Sequence, residues 1–94
     1  MPTYIALGKL TAQAKQNAGA ALKHRDQVHA EFQKKGLKIT SYMTLGPYDV
    51  VLVVDAPSEE LMLQFLMAAG SGGNLDTVTL RAFSTQETDR WRSG

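Results

Sequence analysis

The run Val50-Val51-Leu52-Val53-Val54 constrains the fold of this chain more than any other feature of its sequence. β-Branched side chains favour strands, and an unbroken apolar run is typical of a strand that is covered on both faces. We therefore expect a central strand of a sheet here. The run follows directly on Gly46-Pro47-Tyr48-Asp49, whose residue types favour a turn because glycine permits unusual φ values and proline cannot donate to a strand ladder.

Alternating apolar and polar residues predict three further strands. Their bounds are Tyr4 to Leu10, Leu37 to Leu45 and Leu75 to Phe83. In the first of them the alternation separates two sets of side chains, one containing Ile5 and Leu7 and the other containing Tyr4, Ala6 and Gly8.

Two helices are predicted between these strands. The first extends from an N-cap at Thr11 to Lys35, with Gly36 as the residue of positive φ after its end and a break near Gly19. The second begins with Ser58 as its N-cap and carries two glutamates in its first turn, where the helix dipole favours negative charge. Its apolar stripe consists of Leu61, Met62, Phe65, Leu66 and Ala69.

The order strand, helix, strand, strand, helix, strand predicts an α+β domain of the ferredoxin-like βαββαβ kind, with a four-stranded antiparallel sheet and both helices on one face. We place this domain at residues 1–84, followed by a polar tail at 85–94. Because the central strand is apolar on both sides, we expect a second copy to cover the open face of the sheet. The residues expected at this homodimer interface are Tyr4, Thr40, Tyr42, Thr79 and Arg81.

The composition excludes several classes of function. A formal net charge of +1 provides no field to recruit nucleic acid or an anionic membrane, and no apolar stretch is long enough to span a bilayer. The chain has no cysteine, which excludes disulfides and thiolate chemistry. Its first residues lack the pattern of a secretory signal peptide, so we expect a cytoplasmic protein. We also expect no cofactor.

Arg25 and His29 are the first candidates for a ligand-binding site. Arg25 lies in the middle of the apolar face of the first helix, and an unpaired cation buried there would be costly. One interpretation is structural, with Arg25 reaching solvent or pairing with Asp49. The other is functional, with Arg25 binding a carboxylate or phosphate in a pocket between helix and sheet while His29 exchanges a proton.

Tyr48 and Asp49 are the other candidates, and they also have two interpretations. In a turn, Asp49 accepts hydrogen bonds from backbone N–H groups and Tyr48 packs at the sheet edge. Alternatively, Asp49 is a general base or a partner of Arg25. His24 and His29 are five residues apart, which is not a ligand spacing, so we expect no metal site.

The turn Gly46-Pro47-Tyr48-Asp49, the valine run and the segment from Gly73 to Phe83 together resemble the GYD-domain family, whose Gly-x-Tyr-Asp signature is matched by Gly46, Tyr48 and Asp49. The resemblance covers residues 1–84, including Pro2-Thr3-Tyr4-Ile5. It implies a ferredoxin-like fold and kinship with dimeric α/β barrel proteins, and it implies no particular activity.

Three hypotheses for the function follow. The first is a homo-oligomeric binding or accessory protein that holds a small anionic or aromatic molecule near Arg25, His29, Tyr48 and Asp49. The second is a cofactor-independent monooxygenase or isomerase with His29 or Asp49 as its catalytic acid or base, which depends on analogy at the level of the fold. The third is a structural subunit of a larger complex, marked by an exposed apolar patch.

Overall fold

The computed structural model describes residues 1–92 and contains four strands and four helices within them. The strands form one antiparallel sheet in the order β2-β3-β1-β4, so that β1 and β3 are central. This confirms the predicted α+β class with its four-stranded antiparallel sheet. The elements are β1 (Thr3–Leu10), α1 (Ala12–Gln16), α2 (Ala18–Lys34), β2 (Lys38–Met43), β3 (Val50–Asp55), α3 (Glu59–Gly70), β4 (Leu75–Ala82) and α4 (Thr85–Arg92).

The predicted signals at the helix ends are found in the structure. Oγ1 of Thr11 accepts a hydrogen bond from the Ala14 N–H at 3.2 Å, and Oγ of Ser58 accepts one from the Leu61 N–H at 3.1 Å. Each bond satisfies a backbone donor that has no partner within its helix. Gly36 follows the end of α2 with φ +110°, as predicted.

The first predicted helix is broken, but at Asn17 rather than near Gly19. Asn17 has φ −125° and ψ 53°, which lie outside the helical region, so the chain forms the short α1 and then starts α2. Gly19 lies inside α2. The break lets α1 take a different direction from α2 and contribute its own side chains to the site described below. Within residues 1–92, no helix is both long enough and apolar enough to cross a membrane.

Helices α2 and α3 cover one face of the sheet, which we call the covered face. The largest fully buried side chains are Phe65 and Met62 of α3 and Val54 of β3, and Phe65 meets Phe32 of α2 edge to face with 5.5 Å between ring centroids. Burial of such side chains is the main stabilising contribution of this core. The buried cluster contains Tyr4, Ala6, Val28, Phe32, Leu37, Val50, Leu52, Val54, Ala56, Met62 and Phe65.

The strand register corrects the predicted sides of β1 and β4. Tyr4 pairs with both Val54 and Arg81, and Ala6 pairs with Thr79, so these side chains lie on the covered face. The expectation that Tyr4, Thr79 and Arg81 belong to the open face was therefore wrong. Gly8 of β1 also lies on the covered face, where the Leu75 side chain at the start of β4 packs against it.

Aliphatic side chains instead occupy the opposite face of the sheet, which we call the open face. Val78 and Leu80 of β4 are 49% and 47% exposed, although each belongs to an apolar set that continues across three strands. Thr40 and Tyr42 of β2 lie on this face, as predicted. The open face carries Ile5, Leu7, Val51, Val53, Val78 and Leu80.

Most of the predicted polar tail forms a helix, α4, instead of an irregular segment. Its start is a capping box, since the Glu87 N–H donates to Oγ of Ser84 at 3.1 Å and the Ser84 N–H donates to Oε1 of Glu87 at 3.3 Å. Trp91 meets Phe83 with ring centroids 5.4 Å apart. The last two residues of the predicted tail, Ser93 and Gly94, lie outside the described residues.

Candidate functional site

A cavity of about 420 Å³ lies between α2 and the covered face of the sheet. Its volume is within the range of small-molecule sites, roughly 300–1,000 Å³, and most of its wall is apolar, as in such sites. Residues of the four strands and of α1, α2 and α3 line it. The lining residues are Leu10, Ala14, Lys15, Ala18, Ala21, Leu22, His24, Arg25, Val28, His29, Met43, Val50, Leu52, Ala69, Asn74 and Leu75.

Arg25 lines this cavity, as one interpretation of its position predicted. Its Nε and Nη2 donate to Oδ1 of Asp26 at 3.0 and 2.9 Å, so its carboxylate partner is Asp26 rather than Asp49. The Arg25 side chain is 39% exposed and Asp26 is largely exposed. An ion pair in this environment contributes little to stability, because water screens it. Arg25 therefore presents a cationic group at the cavity that the fold does not need for its own stability.

His29 lines the same cavity one helical turn after Arg25. Burial lowers its pKa below the ordinary value of 6.5, and the nearby Arg25 cation lowers the pKa further while Asp26 acts in the opposite direction. Its ring contacts Phe65 with 5.7 Å between centroids. His29 is therefore neutral at pH 7, with one nitrogen able to donate and one able to accept a hydrogen bond.

One wall of the cavity, which no sequence pattern indicated, is built by α1 together with the glycine-rich loop between α3 and β4. Oγ1 of Thr11 donates to the Gly73 carbonyl at 2.8 Å, and Nε2 of Gln13 donates to the Gly72 carbonyl at 3.2 Å. This contact places Lys15 and Asn74 in the cavity wall. It joins residues about sixty positions apart in the chain, and no local pattern predicts a contact at such separation.

His24 also lines the cavity, and its role is partly structural. Its Nε2 donates at 3.2 Å to the Ala68 carbonyl near the end of α3, which also accepts hydrogen bonds from the N–H and Oγ of Ser71. Within residues 1–92 no group of three or more histidine or acidic side chains is placed to hold a metal ion. No acidic side chain lines the cavity, whereas Lys15 and Arg25 provide two cations, so the cavity is suited to an anion.

Tyr48 and Asp49 lie outside this cavity. Oδ2 of Asp49 accepts a hydrogen bond from the Leu10 N–H at 2.9 Å, which is the turn arrangement that the sequence analysis considered. The Tyr48 carbonyl accepts a bond from Oγ1 of Thr44 at 2.6 Å, and the Tyr48 ring lies 5.8 Å from Nζ of Lys9. Of the four predicted ligand-binding residues, the structure thus brings Arg25 and His29 together and leaves Tyr48 and Asp49 apart from them.

The comparison with protein families agrees with this arrangement of strands and turn. The model of the GYD domain matches residues 4–91, which is most of the chain. The chain belongs to the GYD-domain family.

A relative of this GYD domain is the glutamine synthetase and cystathionine beta-lyase binding protein of the bacterium Thermus thermophilus. The two sequences are 31% identical over 84 residues, which cover 87% of this chain and 88% of the relative. No solved structure matches this chain.

The residues that carry the GYD signature act here as turn residues. Gly46 has φ +122°, a conformation that side chains bearing a Cβ rarely adopt. Asp49 joins the turn to β1 through its side chain and through its own N–H, which donates to the Gly8 carbonyl at 2.8 Å. In this GYD domain the signature therefore fixes the β2–β3 connection against the end of β1, and other residues line the cavity described above.

Proposed function

We propose that this protein is a homo-oligomeric accessory protein that holds a small anionic molecule with an apolar body in the cavity beneath α2. The observation that carries the proposal is the cavity itself, an apolar space with Lys15 and Arg25 in its wall and no carboxylate. Its apolar wall is partly exposed to solvent, with Leu22 46% and Met43 60% exposed, so a ligand with an apolar body would cover apolar surface there.

A binding role accounts for the site better than an acid–base reaction does. His29 lines the cavity, but Asp49, the other acid or base considered, is engaged by the Leu10 N–H outside it. General acid–base catalysis requires each group within hydrogen-bonding reach of the reacting atoms. His29 lies beside the Arg25 cation, and Lys15 lines the same cavity, so the geometry favours holding an anion.

The test uses 8-anilinonaphthalene-1-sulfonate, a fluorescent anion with an aromatic body, as the probe. We expect saturable binding that Ala21→Trp abolishes, since Ala21 lines the cavity and the indole would fill it. Ala20→Trp is the matched control, because Ala20 is the exposed neighbour of Ala21 on α2. Equal binding to both variants would place the probe elsewhere and overturn the proposal.

The role of the Arg25 cation is tested separately with the same probe. We expect Arg25→Gln to weaken binding by about three- to tenfold, the loss of one hydrogen bond to an anion. Lys23→Gln, an exposed position on the same helix with the same change of charge, is the control. If both variants weaken binding equally, the effect is one of net charge and Arg25 has no specific role.

A second function is favoured by the relative, whose name describes binding to two enzymes. We propose that this protein likewise binds a glutamine synthetase or a cystathionine β-lyase. The experiment is size-exclusion chromatography of the protein with each purified enzyme from its own organism. Co-elution with either enzyme supports the proposal, and separate elution from both at micromolar concentrations contradicts it.

A second copy of the chain is the proposed occupant of the open face. Aliphatic side chains cover its centre, with Thr40 and Tyr42 at the β2 side. Such a face in water favours association, and a sheet with one apolar face normally packs it against a second layer. The proposed interface excludes Tyr4, Thr79 and Arg81, because they lie on the covered face.

A further inference from the structure

A second cavity, of about 380 Å³, lies between α3 and the β1–β4 pair, on the covered face of the sheet. It shares no lining residue with the cavity beneath α2. Tyr4, Thr79 and Arg81 of the covered face all line it. The lining residues are Tyr4, Glu59, Met62, Leu63, Leu66, Thr79 and Arg81.

The hydroxyl of Tyr4 is an unpaired polar group of a residue that lines this cavity. Tyr4 is only 9% exposed, and its hydroxyl is buried without a hydrogen-bond partner among residues 1–92. Buried polar groups are almost always paired, because an unpaired one loses its bonds to water without replacement. Phenylalanine would fill the same space without that cost, so the hydroxyl is expected to serve a bound group.

Arg81 provides a positioned cation in the same wall. Its guanidinium carbon lies 4.1 Å from the centroid of the Phe83 ring and 5.6 Å from that of Tyr4. Nη1 donates to the carbonyls of Thr3 and Ala82. In the described part of the chain Nε and Nη2 have no acceptor, which leaves two parallel donors for a carboxylate.

Glu59 and Thr79 complete the polar groups of the cavity. Glu59 is exposed in the first turn of α3, and neither its carboxylate nor the Thr79 hydroxyl has a side-chain partner within residues 1–92. The remaining wall is apolar. It consists of Met62, Leu63 and Leu66 of α3.

We propose that this second cavity binds a free α-amino acid with an apolar side chain. Such a molecule carries a carboxylate and an ammonium group on one carbon, and the cavity presents one cation, Arg81, and one carboxylate, Glu59. The Tyr4 hydroxyl donates to the ligand carboxylate beside Arg81. The side chain of the amino acid contacts the apolar wall of α3. A few polar groups in an apolar wall are what fixes the orientation of a small ligand.

The first experiment is isothermal titration of the protein with three related compounds. L-Leucine has both charged groups, 4-methylpentanoate lacks the ammonium group, and 3-methylbutylamine lacks the carboxylate. We expect L-leucine to bind about tenfold or more tightly than either analogue, because each analogue leaves one charged side chain without its partner. Absence of L-leucine binding up to about 10 mM, or equal binding of all three, overturns the proposal.

Substitutions then test whether the amino acid binds in this cavity. We expect Tyr4→Phe and Glu59→Gln each to weaken L-leucine binding by about tenfold, with the thermal midpoint of Tyr4→Phe unchanged or raised. The matched controls are Tyr48→Phe, which lines neither cavity, and Glu60→Gln, the exposed neighbour of Glu59. Unchanged binding in Tyr4→Phe and Glu59→Gln, or loss of binding in Ala21→Trp of the first cavity, overturns the assignment. A lowered thermal midpoint in Tyr4→Phe also contradicts it, since the hydroxyl would then have a structural partner.

Discussion

Asp49 and Leu10 are joined by a hydrogen bond of 2.9 Å from the Leu10 N–H to Oδ2 of Asp49. The bond lies beyond the last paired residues of β1 and β3, where Gly8 faces Val50. It links the turn before β3 to the residue at which β1 ends and the chain turns towards Thr11. Because Leu10 also lines the first cavity, the bond fixes one edge of that cavity.

We predict that Asp49→Ala lowers the free energy of unfolding by about 1–3 kcal/mol, the usual effect of removing a charged acceptor from a partly buried N–H. Asp49→Asn should cost less, because its amide oxygen can still accept. Urea unfolding measures both. Asp76→Ala, an exposed aspartate without a side-chain bond in the described chain, should change stability by less than about 0.5 kcal/mol. A loss equal to that of Asp76→Ala would show that the Leu10 bond contributes nothing.

Gly46→Ala is expected to lower the free energy of unfolding by about 1–2 kcal/mol, because φ +122° forces the new Cβ into a strained conformation. Crowding is not the cause, since a Cβ at Gly46 meets no atom within 4 Å. Gly19→Ala is the control. It lies in α2, also in open space, and should stabilise the protein by about 0.5–1 kcal/mol. Similar effects of the two substitutions would contradict the assigned role of φ.

The lowered pKa of His29 predicts a pH dependence of stability. As the pH falls through 6.5, the unfolded chain protonates this histidine while the native state keeps it neutral until a lower pH. The unfolded state then binds more protons, so stability is lost on acidification and regained as the pH rises above 6.5. We expect urea midpoints measured from pH 7.5 to 5 to fall less steeply in His29→Gln than in the parent. Parallel curves for the two proteins would contradict this.

Leu80→Glu should convert the proposed dimer into a monomer, because it places a carboxylate within the apolar open face. Light scattering coupled to size-exclusion chromatography measures the mass. Met67→Glu is the matched control, since Met67 is an exposed apolar residue of α3 away from the sheet face. A parent that is monomeric at about 100 μM, or a Leu80→Glu variant that stays dimeric, would show that the open face does not bind a second copy.

The order of the elements could be predicted from the sequence because local chemistry determines it. The valine run became β3, Ser58 capped α3, and Gly36 adopted the positive φ expected after a helix. The helix α4 was predictable in principle, since Ser84 and Glu87 have the spacing of a capping box. The capping box was not recognised because the polar composition of this segment is typical of a tail.

The sides of β1 and β4 could not be predicted, because both sets of side chains in β1 are largely apolar and the polar set of β4 lies on the covered face. Alternation separates Ile5 and Leu7 from Ala6 and Gly8, but it does not say which set the helices cover. Packing between distant residues differs on the two sides. On the covered face the Leu75 side chain packs against Gly8, where an added Cβ would lie 2.8 Å from Cδ1 of Leu75 and the leucine would have to shift. Contacts of this kind arise between residues far apart in the chain.

The partner of Arg25 was also beyond reach of the sequence pattern. Helical periodicity placed Arg25 on the inner face, and the structure confirms that it lines the cavity. Its length lets the guanidinium turn back to Asp26 at the helix surface, which spacing rules for residues three or four apart do not consider. The position of Arg25 could therefore be predicted from the sequence, whereas its carboxylate partner could not.

The position of β1 at the centre of the sheet has a consequence for biosynthesis. β1 leaves the ribosome before every other strand of this sheet, yet one of its two neighbours is β4, paired from Leu10 opposite Leu75 to Thr3 opposite Ala82. Until β4 has been translated, one edge of β1 has no partner, and pairings this distant in sequence form slowly. The nascent chain therefore completes this sheet only after β4 has been translated, and truncation within β4 would leave β1 as an exposed edge for aggregation.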